Sequence, residues 1–399
     1  MDRKRSREES PKFNKHILKI AVARASNSVV SIVSHDVPAE MAKKLRRYVE
    51  VVPPPKEFIF SGSGFIIECN TCSSSDKPST SSPRSRSRYL CTVLAPACLF
   101  KRPDDVPLDT IKIDVFGSTG VLYKAKLLAC DFHYNLALIT FKSTSLLQAV
   151  TFKGINDILS IDTTHQLQSR EVMTFHLQSH SSLFKVIPGT EIFSVWRTHS
   201  HHSHLYPGCS FFRSKSPKGF GCNELYNIKE DIYTIGLDGG PALNTFGEVI
   251  GIIFNKSSFL PSNIITRWWN HYKSSREFRR PFLGVEVLNL PDAGLKFLSQ
   301  FINKFPNIST AVIVTKVEED SPASCSGIHT NDVIVKLDDK LVKSKLQFYE
   351  TIWEKAGKSV ELNVLRVTGG EELNMSIAIE ETSPEKFHQW PHPCWNELR

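Results

Sequence analysis

Four histidines crowd into residues 199–204, at His199, His201, His202 and His204. On a strand, 199 and 201, or 202 and 204, would share one face and could grip a metal. The Tyr206-Pro207-Gly208 turn behind them favours a solvated polar loop instead. Cys69 and Cys72 make a CxxC pair that Cys91 and Cys98 could complete to four zinc ligands. The spacing is irregular, and buried free thiols are the reading adopted. Asp131 and His133 share a strand face, but no motif positions a nucleophile for them, and Cys209-Ser210 falls in a loop after the histidines. No metal and no cofactor is expected. The strongest local signal is Gly236-Leu237-Asp238-Gly239-Gly240-Pro241-Ala242-Leu243, followed by Phe246-Gly247-Glu248-Val249-Ile250-Gly251-Ile252.

These residues need elements to hold them. Short strands are expected over 29–33, 58–60, 64–67, 89–93, 111–116, 124–128, 136–141, 191–196, 231–235 and 249–254. Many short strands at such spacing suggest an all-β sandwich or a pair of barrels. Residues 264–272 have helical spacing and lead into a basic connector, 273–280. Beyond it lies a compact α+β module, with strands over 282–285, 311–317, 333–337 and 360–367 and helices over 292–305 and 345–355. A Ser-rich stretch, 73–88, lacks the apolar content to pack and reads as a mobile loop.

The chain has 399 residues, 41% hydrophobic and 23% charged, which suits a globular protein of two or three domains. Its formal charge of +8 is modest, so no nucleic-acid partner is expected. No apolar run is long enough for a membrane span. No secretory signal is expected in the charged N-terminus, and Arg3-Lys4-Arg5 offers a nuclear address beside the simpler reading of a solvated tail. Nine cysteines, an odd number without regular spacing, fit a reducing compartment, either cytoplasmic or nuclear.

The Gly-Gly-Pro turn and the strand after it resemble the nucleophile region of the HtrA/DegP-type (Do-like) serine proteases. Three stretches agree. Ser61-Gly62-Ser63-Gly64-Phe65-Ile66-Ile67 resembles that family's opening strand. Val93-Leu94-Ala95-Pro96-Ala97-Cys98-Leu99-Phe100 resembles the segment carrying the general base, and Asp131-Phe132-His133-Tyr134-Asn135-Leu136-Ala137-Leu138-Ile139 the segment that orients it. Cys222-Asn223-Glu224-Leu225 looks most like the plant Do-like branch. The resemblance implies a mainly β fold: a chymotrypsin-like double β-barrel followed by an α+β PDZ domain. Its expected boundaries are a basic disordered tail over 1–24, the barrels over 25–278, the PDZ domain over 279–382 and a tail over 383–399.

Acyl transfer in that family needs a serine hydroxyl, an imidazole and an orienting carboxylate. Carried over position by position, the nucleophile slot holds Asp238, the base slot Cys98 and the acid slot Asn135. Asp238 in the turn that begins at Gly236 would put a carboxylate where amide N–H groups should form an oxyanion hole. No histidine lies between His35 and His133 to serve as base. The resemblance therefore implies a protease scaffold without its triad, and family membership alone implies a serine-type endopeptidase. A third reading is a nuclear adaptor using Arg3-Lys4-Arg5 and the basic run 84–88.

The last module resembles the family's PDZ domain. Pro281-Phe282-Leu283-Gly284-Val285 matches the carboxylate-binding loop, and Ser321-Pro322-Ala323 with Ser326-Gly327-Ile328 and Asn331-Asp332-Val333-Ile334 matches the run after it. Asn331 stands where the family has Gly, and Asn tolerates a left-handed turn. Phe282, Leu283, Gly284 and Val285 are expected to take a peptide C-terminus by strand addition, against a wall of Leu346, Phe348 and Ile352. Partners implied are protein or peptide C-termini and sister subunits in a homo- or hetero-oligomer, as in the family's trimers.

Overall fold

The computed structural model describes residues 15–35, 60–72, 89–100, 111–161, 183–198, 204–213, 221–230, 239–254 and 257–382. Helix α1 (Lys15–Ala25) opens it, with Ala21 and Ala25 fully packed into the core. The expected tail is therefore corrected from Lys15 onward: small residues four apart give this helix a seam that the protein can bury.

Strands β1 (Val29–Ser34), β2 (Phe60–Thr71), β3 (Tyr89–Pro96), β4 (Ile113–Phe116), β5 (Leu122–Asp131) and β6 (Leu136–Ser143) close a barrel in the order β1-β2-β3-β6-β5-β4. The break expected between 60 and 64 is absent, because Gly62 and Gly64 pair with Ile32 and Val30 inside the ladder. A side chain at Gly64 would stand 2.6 Å from Ile32 Cδ1, so the glycine serves close packing rather than a turn.

After a short parallel pair, β7 (Ile155–Asn156) with β8 (Phe184–Lys185), a second barrel forms. It comprises β9 (Glu191–Arg197), β10 (Leu205–Arg213), β11 (Tyr226–Glu230), β12 (Pro241–Leu243), β13 (Val249–Phe254) and β14 (Ser258–Pro261). Its order, β9-β10-β11-β14-β13-β12, repeats that of the first barrel. Here the turn expected at 206–208 and the loop expected at Cys209-Ser210 are corrected, since both lie within β10. Gly208 stands opposite Ser194, and a Cβ there would come within 2.9 Å of the Trp196 ring. The glycine makes room for an indole in the sheet.

Helix α2 (Ser262–Ser275) closes the barrels by burying Ile264, Ile265, Trp268, Trp269 and Tyr272 along one stripe. Arg276 then adopts a left-handed φ of 59° and ends it. The module beyond pairs β15 (Arg280–Phe282) with β22 (Glu380–Thr382). Its main sheet runs β16 (Val285–Asn289), β17 (Val312–Val317), β18 (Asp332–Leu337), β20 (Ser359–Arg366) and β21 (Glu371–Ala378), with β19 (Lys340–Leu341) beside β18. Helices α3 (Leu295–Lys304), α4 (Pro322–Cys325) and α5 (Lys345–Glu354) complete it. Asn331 takes a φ of 73°, the left-handed conformation its residue type tolerates. One continuous apolar core runs from Ala21 through Ile252 and Trp268 to Ile352 and Ile377, joining barrel and module. Separate cores fill the first barrel and the far face of the module.

Candidate functional site

Cys98, expected in the base slot, lies half-buried on a 3₁₀ turn (Ala97–Phe100) that continues β3. Asn135, expected in the acid slot, lies fully buried on the turn between β5 and β6, with a left-handed φ of 54°. The two meet directly. The Cys98 amide donates to Asn135 Oδ1 at 2.8 Å, and the Ala97 amide donates to the Asn135 carbonyl at 3.0 Å. Asn135 Oδ1 is thus taken by backbone, and its Nδ2 has no partner among the described residues. Gly239, with φ 94°, presses against Pro96, where a Cβ would be 2.3 Å from the proline ring. That contact brings the end of the Gly-Gly-Pro turn against the segment carrying Cys98. Gly236 and Asp238 lie outside the described residues, as do His199, His201 and His202, residues 73–88 and both chain ends.

The second expected site is a pocket of about 60 Å³. Phe282, Leu283, Gly284 and Val285 line it, facing Phe348 and Ile352 from α5. Leu346 does not: it is buried in the shared core, and Tyr349 and Trp353, three and seven positions further along the same helical stripe, line the pocket instead. Gly284 has φ 79°, and a Cβ on it would lie 2.1 Å from that of Ser321. Its conformation and the close approach of α4 require glycine before any ligand is considered. Ser321 in turn caps α4, accepting from the Ser324 amide at 3.2 Å. Tyr349, not foreseen from the sequence, donates its hydroxyl to the Val285 carbonyl at 3.5 Å.

The barrels contribute His133, Asn223 and Glu224 to the pocket wall, and Arg280 at the start of β15 lines it beside them. Behind it lies a buried ion pair between Arg280 and Asp131. Asp131 also accepts from the His133 amide at 3.0 Å, the Tyr134 amide at 3.3 Å and the Trp268 indole at 2.8 Å. Burial alone would raise the Asp131 pKa, but Arg280 overrides it and holds the carboxyl below its usual range. Asp131 therefore meets His133 through the backbone and serves a structural ion pair. The Arg280 guanidinium also lies 4.4 Å from the centre of the Tyr134 ring. Tyr134 donates to Glu224 Oε1 at 2.8 Å, and the Cys222 thiol donates to Glu224 Oε2 at 3.6 Å. Burial, with Glu224 adding to it, pushes the Cys222 thiol well up. Of these residues, Arg280 reads in sequence only as part of a basic connector; nothing local marks it as a counter-ion.

Residues 281–379 match the PDZ domain family. The chain is 24% identical to the serine protease HTRA1 of Xenopus tropicalis over 68% of its length and 55% of that protein's. It is 28% identical to the human serine protease HTRA3 over 41% of its length and 37% of that protein's. The chain thus spans less than two thirds of these curated relatives. In three dimensions it superimposes on the HtrA-type protease AlgW, solved with a decapeptide, with a TM-score of 0.50. That match is 16% identical and covers 92% of this chain and 99% of the other.

Two closed six-stranded barrels give the chain a chymotrypsin-like double-barrel fold, here followed by a PDZ module. The chain is similar in sequence and in fold to HtrA/Do-like proteases, and its last module matches the PDZ family.

Proposed function

We propose that this chain is a catalytically silent HtrA/Do-like homologue that works by binding. It takes protein or peptide C-termini through its PDZ domain and the remnant of its substrate cleft, and through them regulates active relatives. The observation that carries this reading is the Cys98–Asn135 contact. A triad carboxylate accepts from an imidazole and fixes its tautomer. At the matching positions an amide oxygen binds the backbone of a cysteine, and the sequence has aspartate where the nucleophile belongs. An amide in place of the triad carboxylate alone lowers turnover by roughly 10⁴ in trypsin. Loss of nucleophile or base costs on the order of 10⁶ in a related enzyme.

Casein degradation by the purified chain, beside an Asp238→Ser, Cys98→His, Asn135→Asp variant, tests the first half. No cleavage is expected from the natural chain, and cleavage or fluorophosphonate labelling at a serine would restore the endopeptidase reading. For the second half, peptides ending in a free carboxylate should bind the full chain and their amidated counterparts should not. Equal binding of the two would remove the PDZ loop from the account.

A further inference from the structure

Three residues from two barrels meet beside the PDZ pocket: His133, Cys222 and Glu224. Each offers one ligand atom, and these atoms lie within 4.8 Å of one another. His133 and Cys222 are buried and Glu224 is half-buried. We propose that they form a zinc site, with its remaining coordination position open to the pocket in front of the Phe282–Val285 loop.

The donor set selects the metal. A thiolate is a poor ligand for magnesium or calcium, whereas sulfur, imidazole and carboxylate together suit zinc. Tetrahedral zinc with bonds of roughly 2.0–2.3 Å holds its ligand atoms some 3.3–3.8 Å apart. Drawing these three together takes an adjustment of about an ångström, within reach of side-chain rotation. Support behind the ligands is already present. The Tyr134 hydroxyl donates to Glu224 Oε1 at 2.8 Å, leaving Oε2 turned toward the Cys222 sulfur. An outer hydrogen bond of this kind orients a metal-binding carboxylate.

Charge does not oppose the ion. Arg280, which lines the same pocket, is paired with Asp131. The buried Lys345 donates to the Leu225 carbonyl at 3.0 Å. Binding breaks the Cys222 S–H bond and forms a sulfur–zinc bond, with the proton released to solvent. Zinc plus thiolate then places a single added positive charge beside the Glu224 carboxylate. Two of the three ligands, His133 and Glu224, line the pocket wall. Water or a carboxylate entering the pocket could complete the coordination. No local motif announces the site, because its ligands are split between His133 and a pair nearly ninety positions downstream. None of this depends on whether the chain is catalytically silent.

The test uses the full chain, stripped by a chelator, reloaded with zinc and dialysed. One zinc per chain is expected by elemental analysis, and cobalt(II) in its place should give a near-ultraviolet thiolate-to-metal band. Cys222→Ser and His133→Ala should each weaken zinc binding at least ~100-fold, and Tyr134→Phe about 10–100-fold. Cys69→Ser and Cys72→Ser should leave it unchanged, which separates this site from the other cysteines. Should the first variants fail to fold, zinc X-ray absorption on the natural chain decides. A shell with one sulfur near ~2.3 Å and lighter atoms near ~2.0–2.2 Å supports the site. No retained zinc, undiminished affinity in a folded Cys222→Ser variant, or a shell with no sulfur or several would overturn it.

Discussion

Asp131 is the most heavily partnered buried carboxylate beside the pocket, meeting Arg280 and three N–H donors. Its carboxylate is buried, so it is tolerable only because Arg280 and three N–H donors face it. Asp131→Asn would keep one acceptor oxygen and leave Arg280 charged and unpaired. A loss of about 3–5 kcal/mol at neutral pH is expected from urea unfolding. The sign of the pH dependence follows from its lowered pKa. The stabilisation is present above the unfolded-state value of about 3.9 and fades as pH falls through the native one. The gap between natural chain and variant should therefore narrow in acid, and a gap constant from pH 6 to pH 2 would contradict this. At this scale the sequence was legible where a motif existed. Cys98 and Asn135 were matched to slots of one site, and they touch. Arg280 and Trp268 were not, because Trp268 reaches Asp131 across 137 positions and no local pattern encodes that distance.

Helix α5 shows how far an element can be read from its own residues. Ser344 accepts from the Gln347 amide at 3.2 Å, and Phe348 and Ile352 turn inward at helical spacing, as their order implies. What the pattern does not reveal is that the first residue of the helix, Lys345, is wholly buried. Its ammonium lies 4.3 Å from the centre of the Tyr226 ring and donates to the Leu225 carbonyl. A lysine at a helix start reads as solvated, and only the second barrel packing over it makes it otherwise. Burial pulls its pKa down to about 8. Between that value and about 10.4 the unfolded chain holds a proton that the folded one lacks, so this residue's contribution rises with pH. Compared with Lys345→Met, the natural chain should gain in urea midpoint between pH 7.5 and 9.5. A difference that stays flat across this range would refute the assignment. Strand β10 was misread for a comparable reason: Pro207 and Gly208 carry turn chemistry by type, but Trp196 across the ladder requires the glycine.

On the scale of the whole molecule, barrels and PDZ domain share one core rather than meeting at a wet surface. Their helices are tied as well, with Arg267 bonded to Glu354 at 2.8 Å and Asn263 to Glu350 at 3.1 Å. Scanning calorimetry of the chain should therefore show one transition with matching calorimetric and van't Hoff enthalpies. Two resolved peaks in the natural chain would mean that the shared core does not couple the domains. The double barrel itself was legible from strand number and spacing, whereas this docking was not, since it depends on surfaces that no single segment displays. Among the described residues, no helix is long and apolar enough to cross a membrane. The Arg280–Asp131 pair also sets a rule for protein engineers. Arg280 is the first residue of β15, so it belongs to the PDZ module by sequence and to the barrels by charge. A chimera spliced after residue 280 keeps the barrels neutralised whichever PDZ follows. One spliced a residue earlier must bring its own arginine or strand a carboxylate in the interior, so here the natural seam between domains is a poor place to cut.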